Sequence, residues 1–226
     1  MRILALVMSS KTQQYPELVK CQKETWDSIV HPKVNTIYYY SGEENSKFAN
    51  EWVLKIPEGH GYFYEKTMLA FKEALKLPWW DYIFKTDNSA YVHKAELVRL
   101  IKGKQQSKYF GGHLYLTQKT TGDSFLWGEG FTLSRDLVKY LVKEFDENTE
   151  PRHGVEDVYI GAILKNKIQW DTSMMIHEYW RSKKLPLCHV YRCKNDNDPL
   201  NHFDDAIKAM RLIHKQLHHG KANNNK

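Results

Sequence analysis

Side chains able to do chemistry gather in three short stretches. The first, Phe84-Lys85-Thr86-Asp87-Asn88-Ser89-Ala90-Tyr91-Val92, sets a carboxylate at the end of an apolar run. The second is Trp127-Gly128-Glu129-Gly130-Phe131-Thr132-Leu133-Ser134, and the third is Gly154-Val155-Glu156-Asp157-Val158-Tyr159-Ile160-Gly161. A carboxylate at the end of a buried strand is where α/β proteins place ligand-binding groups. Each stretch also has a plainer reading. Asp87-Asn88-Ser89 suits an Asx turn that closes a strand. Glu156 and Asp157 suit the first turn of a helix, where the dipole favours acids. Gly128 and Gly130 leave backbone bare for a ligand to approach closely, and they equally suit a bulged strand.

The elements that must hold these residues follow from periodicity. Ile3–Met8 reads as a first buried strand, with the polar Ser9 and Ser10 after it. A helical stripe covers about 15–30, Thr36–Tyr40 is a second strand ended by Ser41-Gly42, and Val53–Ile56 is a third. Residues 62–77 form a helix ended by Pro78, and the strand 81–86 leads into the Asp87 elbow. Lys94–Ile101 is a helix; Tyr109–Leu116 and Ser124–Thr132 are strands; Ser134 caps a helix through Phe145. Glu156 and Asp157 open a further helix, Ile168–Trp170 and Met174–His177 are short strands, and Phe203–Leu217 is a final amphipathic helix. Strands alternating with helices in the first half predict a parallel sheet of Rossmann type. No GxGxxG or GxxxxGK[ST] loop follows the first strand, which argues against a dinucleotide enzyme and a P-loop NTPase.

Composition narrows the classes further. The chain has 226 residues, 42% hydrophobic and 27% charged, as a soluble globular domain has. Its net charge of +6 is scattered without a long basic run, so it fits an anionic ligand and not a dedicated nucleic-acid surface. Lys66 and Lys85 are candidates for phosphate contact or for supporting the strand. Trp127 could stack on a base or a sugar, whereas Trp79 and Trp80 read as packing. Cys21, Cys188 and Cys193 make no disulfide framework, and Cys188-His189 with Cys193 lacks a CxxC partner for zinc, so reduced thiols are expected. The start is too short in apolar residues for a signal peptide or a membrane anchor.

Taken in order, the three stretches resemble GT-A-fold glycosyltransferases of the fringe and β-1,3-galactosyltransferase group. That family's pattern is Lys-x-Asp-Asp-Asp-x-Tyr/Phe-Val, then Gly-x-Gly before an apolar strand end and Ser, then Glu-Asp-Val-x-x-Gly. Cys21-Gln22-Lys23-Glu24-Thr25-Trp26 and Lys66-Thr67 are similar to two earlier elements, and the likeness spans about residues 1–180. The resemblance implies an α/β GT-A fold, a single Rossmann-like domain with a mixed central sheet over 1–220. Residues 1–93 would be the nucleotide-binding half, 94–200 the acceptor-side half, 201–220 a C-terminal helix and 221–226 a polar tail. It implies inverting transfer from a nucleotide-sugar donor, UDP-linked, to a hydroxyl of a glycan or glycoprotein. Asp157 would be the base with Glu156 beside it. Asp87, Asn88, Ser89, Ser9, Ser10, Lys66 and Lys85 would face the donor, and Trp127, Gly128, Glu129 and Gly130 the acceptor or sugar. A divalent cation, manganese, would sit at Asp87 and His177, with His189 as the competing histidine. Asn88 and Ser89 stand where the family has two further acids, and a serine hydroxyl is a poorer metal ligand than a carboxylate. That departure motivates an alternative: a nucleotide-sugar or glycan-binding protein on the same fold. A soluble protein in the cytoplasm of a bacterium or a virus-infected cell is expected.

Overall fold

Ile3–Met8 (β1) is buried at every residue, as a strand flanked on both edges and both faces must be. The computed structural model describes residues 1–116, 124–148, 154–179, 185–195 and 202–218. β1 pairs in parallel with β2 (Val34–Gly42) on one side and β5 (Tyr82–Asp87) on the other, so Met8, Tyr39 and Asp87 end level. β2 continues in parallel to β4 (Glu51–Lys55), and β3 (Ser46–Phe48) closes that edge antiparallel. Beyond β5 the direction reverses: β8 (Ser124–Ser134) and β7 (Phe110–Leu116) are antiparallel, giving the mixed seven-stranded order β3-β4-β2-β1-β5-β8-β7.

Alternation along β1 divides the core. Ile3, Ala5 and Val7 face one layer, with α1 (Tyr15–Glu24), α3 (Lys94–Ile101) and α6 (His202–His218). Leu4, Leu6 and Met8 face the other, with α2 (Phe63–Leu75), α4 (Arg135–Glu147) and α5 (Glu156–Leu164). A small second sheet pairs β6 (Ala90–Val92) and β9 (Ile176–Glu178) with β10 (Val190–Arg192) between them, and packs into the first layer. Among the described residues no helix is long and apolar enough to cross a membrane.

Several elements differ from expectation. The first helix stops at Glu24, because the Thr25 hydroxyl donates back to the Cys21 carbonyl at 2.6 Å; a short 3₁₀ turn, Trp26–Ser28, follows. Ser134 does not cap α4 with its side chain. Its Oγ instead accepts the Tyr109 N–H at 2.9 Å and bonds Asp136 Oδ1, which ties β8 to the start of β7. Ile168–Trp170 is not a strand. Trp170 packs edge-on against Phe110 at 5.4 Å, and only Asp171 bridges to Gly111. The expected tail, 221–226, lies outside the described residues.

Candidate active site

The parallel strands place Ser9 and Asp87 side by side at the carboxyl edge of the sheet. Asp87 Oδ1 accepts the Ser89 N–H at 2.8 Å and its hydroxyl at 2.7 Å, an Asx turn that reverses the chain into β6. From α1, buried Gln22 donates to the carbonyls of Asp87 (3.0 Å) and Ala90 (2.7 Å), fixing the elbow from behind. Asn88 Nδ2 donates to Ser9 Oγ at 2.8 Å, and Lys66 Nζ donates to the Ser9 carbonyl at 2.6 Å. Lys66 is 1% exposed; burial pulls its pKa down, against the pull of Glu58 at 3.4 Å.

Ser9, Lys66, Asp87, Asn88 and Ser89 line a cavity of about 280 Å³ together with Ser10, Thr12, Gln13, Tyr15, Glu58, Gly59, His60, Phe63, Glu129, Arg192, Lys194 and Phe203. Tyr15 and Phe203 meet edge to face at 5.1 Å and supply an aromatic wall. Two backbone positions of the wall are left-handed: Gln13 at φ 53° and Gly59 at φ 141°, the latter open only to glycine without strain. Glu129 joins this cavity from β8. Its Oε1 lies 2.8 Å from Arg192 Nε, and Arg192 in turn lies 4.7 Å over the Trp127 ring and 3.8 Å from Glu178. Burial, with the neighbouring charge of Asp87, pushes the Glu129 carboxyl upward, against the pull of Arg192.

A second charged group sits one strand step deeper. Lys85, two residues before Asp87, forms an ion pair with Glu156 and donates to the Gly128 carbonyl at 3.0 Å; both side chains are enclosed. Burial opposes the Lys85 charge, yet Glu156, Tyr39 and Asp87 hold its pKa above the ordinary value. Asp157 accepts the Gly128 N–H at 3.0 Å and the Val158 N–H at 2.8 Å. Burial and adjacent Glu156 push its pKa up to about 6. A Cβ on Gly128 would come within 3.1 Å of both Asp157 and Glu156, so that glycine serves close packing against these acids.

The structure therefore gathers Ser9, Ser10, Lys66, Asp87, Asn88, Ser89 and Glu129 around one cavity. Lys85, Trp127, Gly128, Gly130, Glu156 and Asp157 are not among its lining residues. Gly130 faces Val190 and Phe84. His177 lies in the small sheet with its ring edge-on to Tyr191 at 5.8 Å and is not among the lining residues. His189 is wholly buried, its ring edge-on to Phe84 at 6.1 Å. The three cysteines are free and buried. Among the described residues no three His, Cys, Asp or Glu side chains converge to hold an ion. At the elbow one Asp87 oxygen already takes two hydrogens and the Glu129 carboxylate is paired with Arg192, a donor set that does not fit a tightly held resident metal. Arg192, Lys194, Tyr15, Thr12 and Phe203 were not marked by any motif. Arg192 reaches Glu129 through a three-residue strand whose pairing is set far along the chain.

Strand order, mixed direction and a polar cavity at the carboxyl edge define a GT-A glycosyltransferase fold, and solved structures share it. One is a glycosyltransferase involved in the glycosylation of the major capsid of PBCV-1, at TM-score 0.60 and 12% identity, covering 94% of this chain and 100% of that one. Another is the glycosyltransferase GlyE of Streptococcus pneumoniae, at TM-score 0.56 and 8% identity over 93% of this chain and 60% of that one. A third is the galactosyltransferase LgtC in complex with donor and acceptor sugar analogs, at TM-score 0.50 and 9% identity over 94% and 96%. At these identities the likeness is one of fold. No protein-family model matches the sequence, and a search of curated proteins finds no match.

Proposed function

We propose that the chain is a glycosyltransferase that binds a nucleotide-sugar donor, UDP-linked, in the cavity at the Asp87 elbow. It passes the sugar, with inversion, to a hydroxyl of a glycan or glycoconjugate. The observation that carries this reading is the cavity itself. In a GT-A fold it opens at the ends of β1 and β5, where Asp87, Asn88, Ser9 and Ser10 converge beside the cations Lys66 and Lys194. The cations suit a diphosphate. The Tyr15–Phe203 wall suits a base, and the carboxylates suit sugar hydroxyls. The fringe-like order of the three sequence stretches supports the same reading, as does the fold shared with glycosyltransferases.

A second reading, a donor-binding protein without transfer, is favoured by the elbow's single acid. Thermal melting with a panel of nucleotide sugars, each with and without manganese, tests both. A saturating UDP-sugar is expected to raise Tm by about 5 °C or more. A panel in which nothing shifts Tm would sink the donor cavity. Release of UDP from the bound donor separates enzyme from binding protein.

A further inference from the structure

We propose that Glu129 is the catalytic base of this site, with Arg192 as its positioning residue. The assignment rests on the donor reading above and deepens it. A base must reach the proton it removes, directly or through one water. Among the described residues the cavity offers three carboxylates: Glu58, Asp87 and Glu129. Glu58 is the partner of buried Lys66. Asp87 Oδ1 is held by the Ser89 N–H and hydroxyl, which builds the elbow. Glu129 stands on the neighbouring strand, its carbonyl anchored by the Thr86 hydroxyl at 2.6 Å and its carboxylate by Arg192 at 2.8 Å. Arg192 is itself braced by the Trp127 face and by Glu178. An oriented carboxylate beside the donor pocket is what the reaction requires.

The acid that the motif singles out is placed differently. Asp157 spends both oxygens on backbone N–H groups and does not line the cavity. It holds Gly128, and through that glycine the strand that carries Glu129.

In the step itself, the acceptor oxygen forms its bond to the anomeric carbon as the bond from that carbon to the diphosphate breaks. The electron pair of the broken bond leaves with the nucleoside diphosphate, and the acceptor proton passes to Glu129. Water can take the acceptor's place, so the test needs no known acceptor.

Hydrolysis of a panel of UDP-hexoses is followed by UDP release, alongside calorimetry with UDP. Glu129→Gln is expected to cut the rate about 100-fold or more while the Kd for UDP stays within about threefold. Arg192→Ala is expected to lower kcat about tenfold, with part of the loss restored by Arg192→Lys, a rescue that a packing role alone would not give. Asp157→Ala is expected to lower Tm by about 5 °C, with the rate per folded molecule falling less than about tenfold. Glu129→Gln turning over like wild type would overturn the assignment and leave the donor reading intact. So would Asp157→Ala, still folded, losing as much rate as Glu129→Gln. A wild type that binds UDP and releases none from the panel would overturn the base and leave a binding protein. A wild type that binds no UDP would overturn the donor reading and the base with it.

Discussion

Two charged groups lie one strand step apart, both largely buried, and only one of them borders the cavity. Lys85, Glu156 and Asp157 satisfy one another and the Gly128 backbone in an enclosed space. Asp87, Glu129 and Arg192 line an open cavity. Each group is two acids and one cation with comparable pairing, so charge composition does not separate them. What separates them is where each hydrogen bond ends. The enclosed group closes on the protein's own backbone, so its acids hold β8 and α5 together. The open group is braced on one side and faces a ligand-sized space on the other.

The sharpest way to break this contrast is to remove the cation from the enclosed group. Lys85→Met leaves Glu156 without its partner, and a stability loss of about 3–5 kcal/mol is expected in chemical denaturation. A loss near zero would mean that water reaches the acids.

The next effect probes the small sheet that carries Arg192. His189 beside it is wholly buried, and burial lowers its pKa to about 4 from an ordinary 6.5. The unfolded chain then binds the proton more readily than the folded one. This contribution to stability is present above pH 6.5 and is lost as pH falls through 4, amounting to about 3 kcal/mol at the limit. His189→Leu should flatten that part of the acid limb relative to wild type; an unchanged slope would remove His189 as its source.

Arg192→Met is the counterpart of Lys85→Met in the open group. Glu129 lines the cavity and its raised pKa lets it take up a proton once its cation is removed, so the expected loss is about 1–2 kcal/mol, well below the enclosed case. Equal losses from the two substitutions would erase the distinction between the groups. The smallest effect is at the elbow. Ser89→Ala removes one of two hydrogen bonds to Asp87 Oδ1, for about 1 kcal/mol or less, and should weaken UDP binding only a few-fold in calorimetry.

Local patterns were legible in the sequence where one segment decides its own structure. The helix at Lys94–Ile101 and the helix start at Glu156 follow from periodicity and end signals. The Asp87 elbow is visible because its turn is made by neighbours in the chain. Three-residue strands such as β6 and β10 carry too little pattern to announce themselves, and their pairing is a tertiary event. Motif spacing likewise drew Asp157 and Glu129 into one site, whereas the register of β8 decides which of them reaches the cavity. Arg192 was invisible for the same reason: its partners Glu129 and Trp127 come from another sheet.

Amide chemical shifts recorded while UDP is titrated into the protein test the central contrast most directly. The account predicts that shifts concentrate at Ser9, Asn88, Ser89, Glu129 and Arg192 around the cavity, while Lys85, Glu156 and Asp157 hold still. Shifts centred on Glu156 and Asp157, with the elbow unmoved, would contradict it.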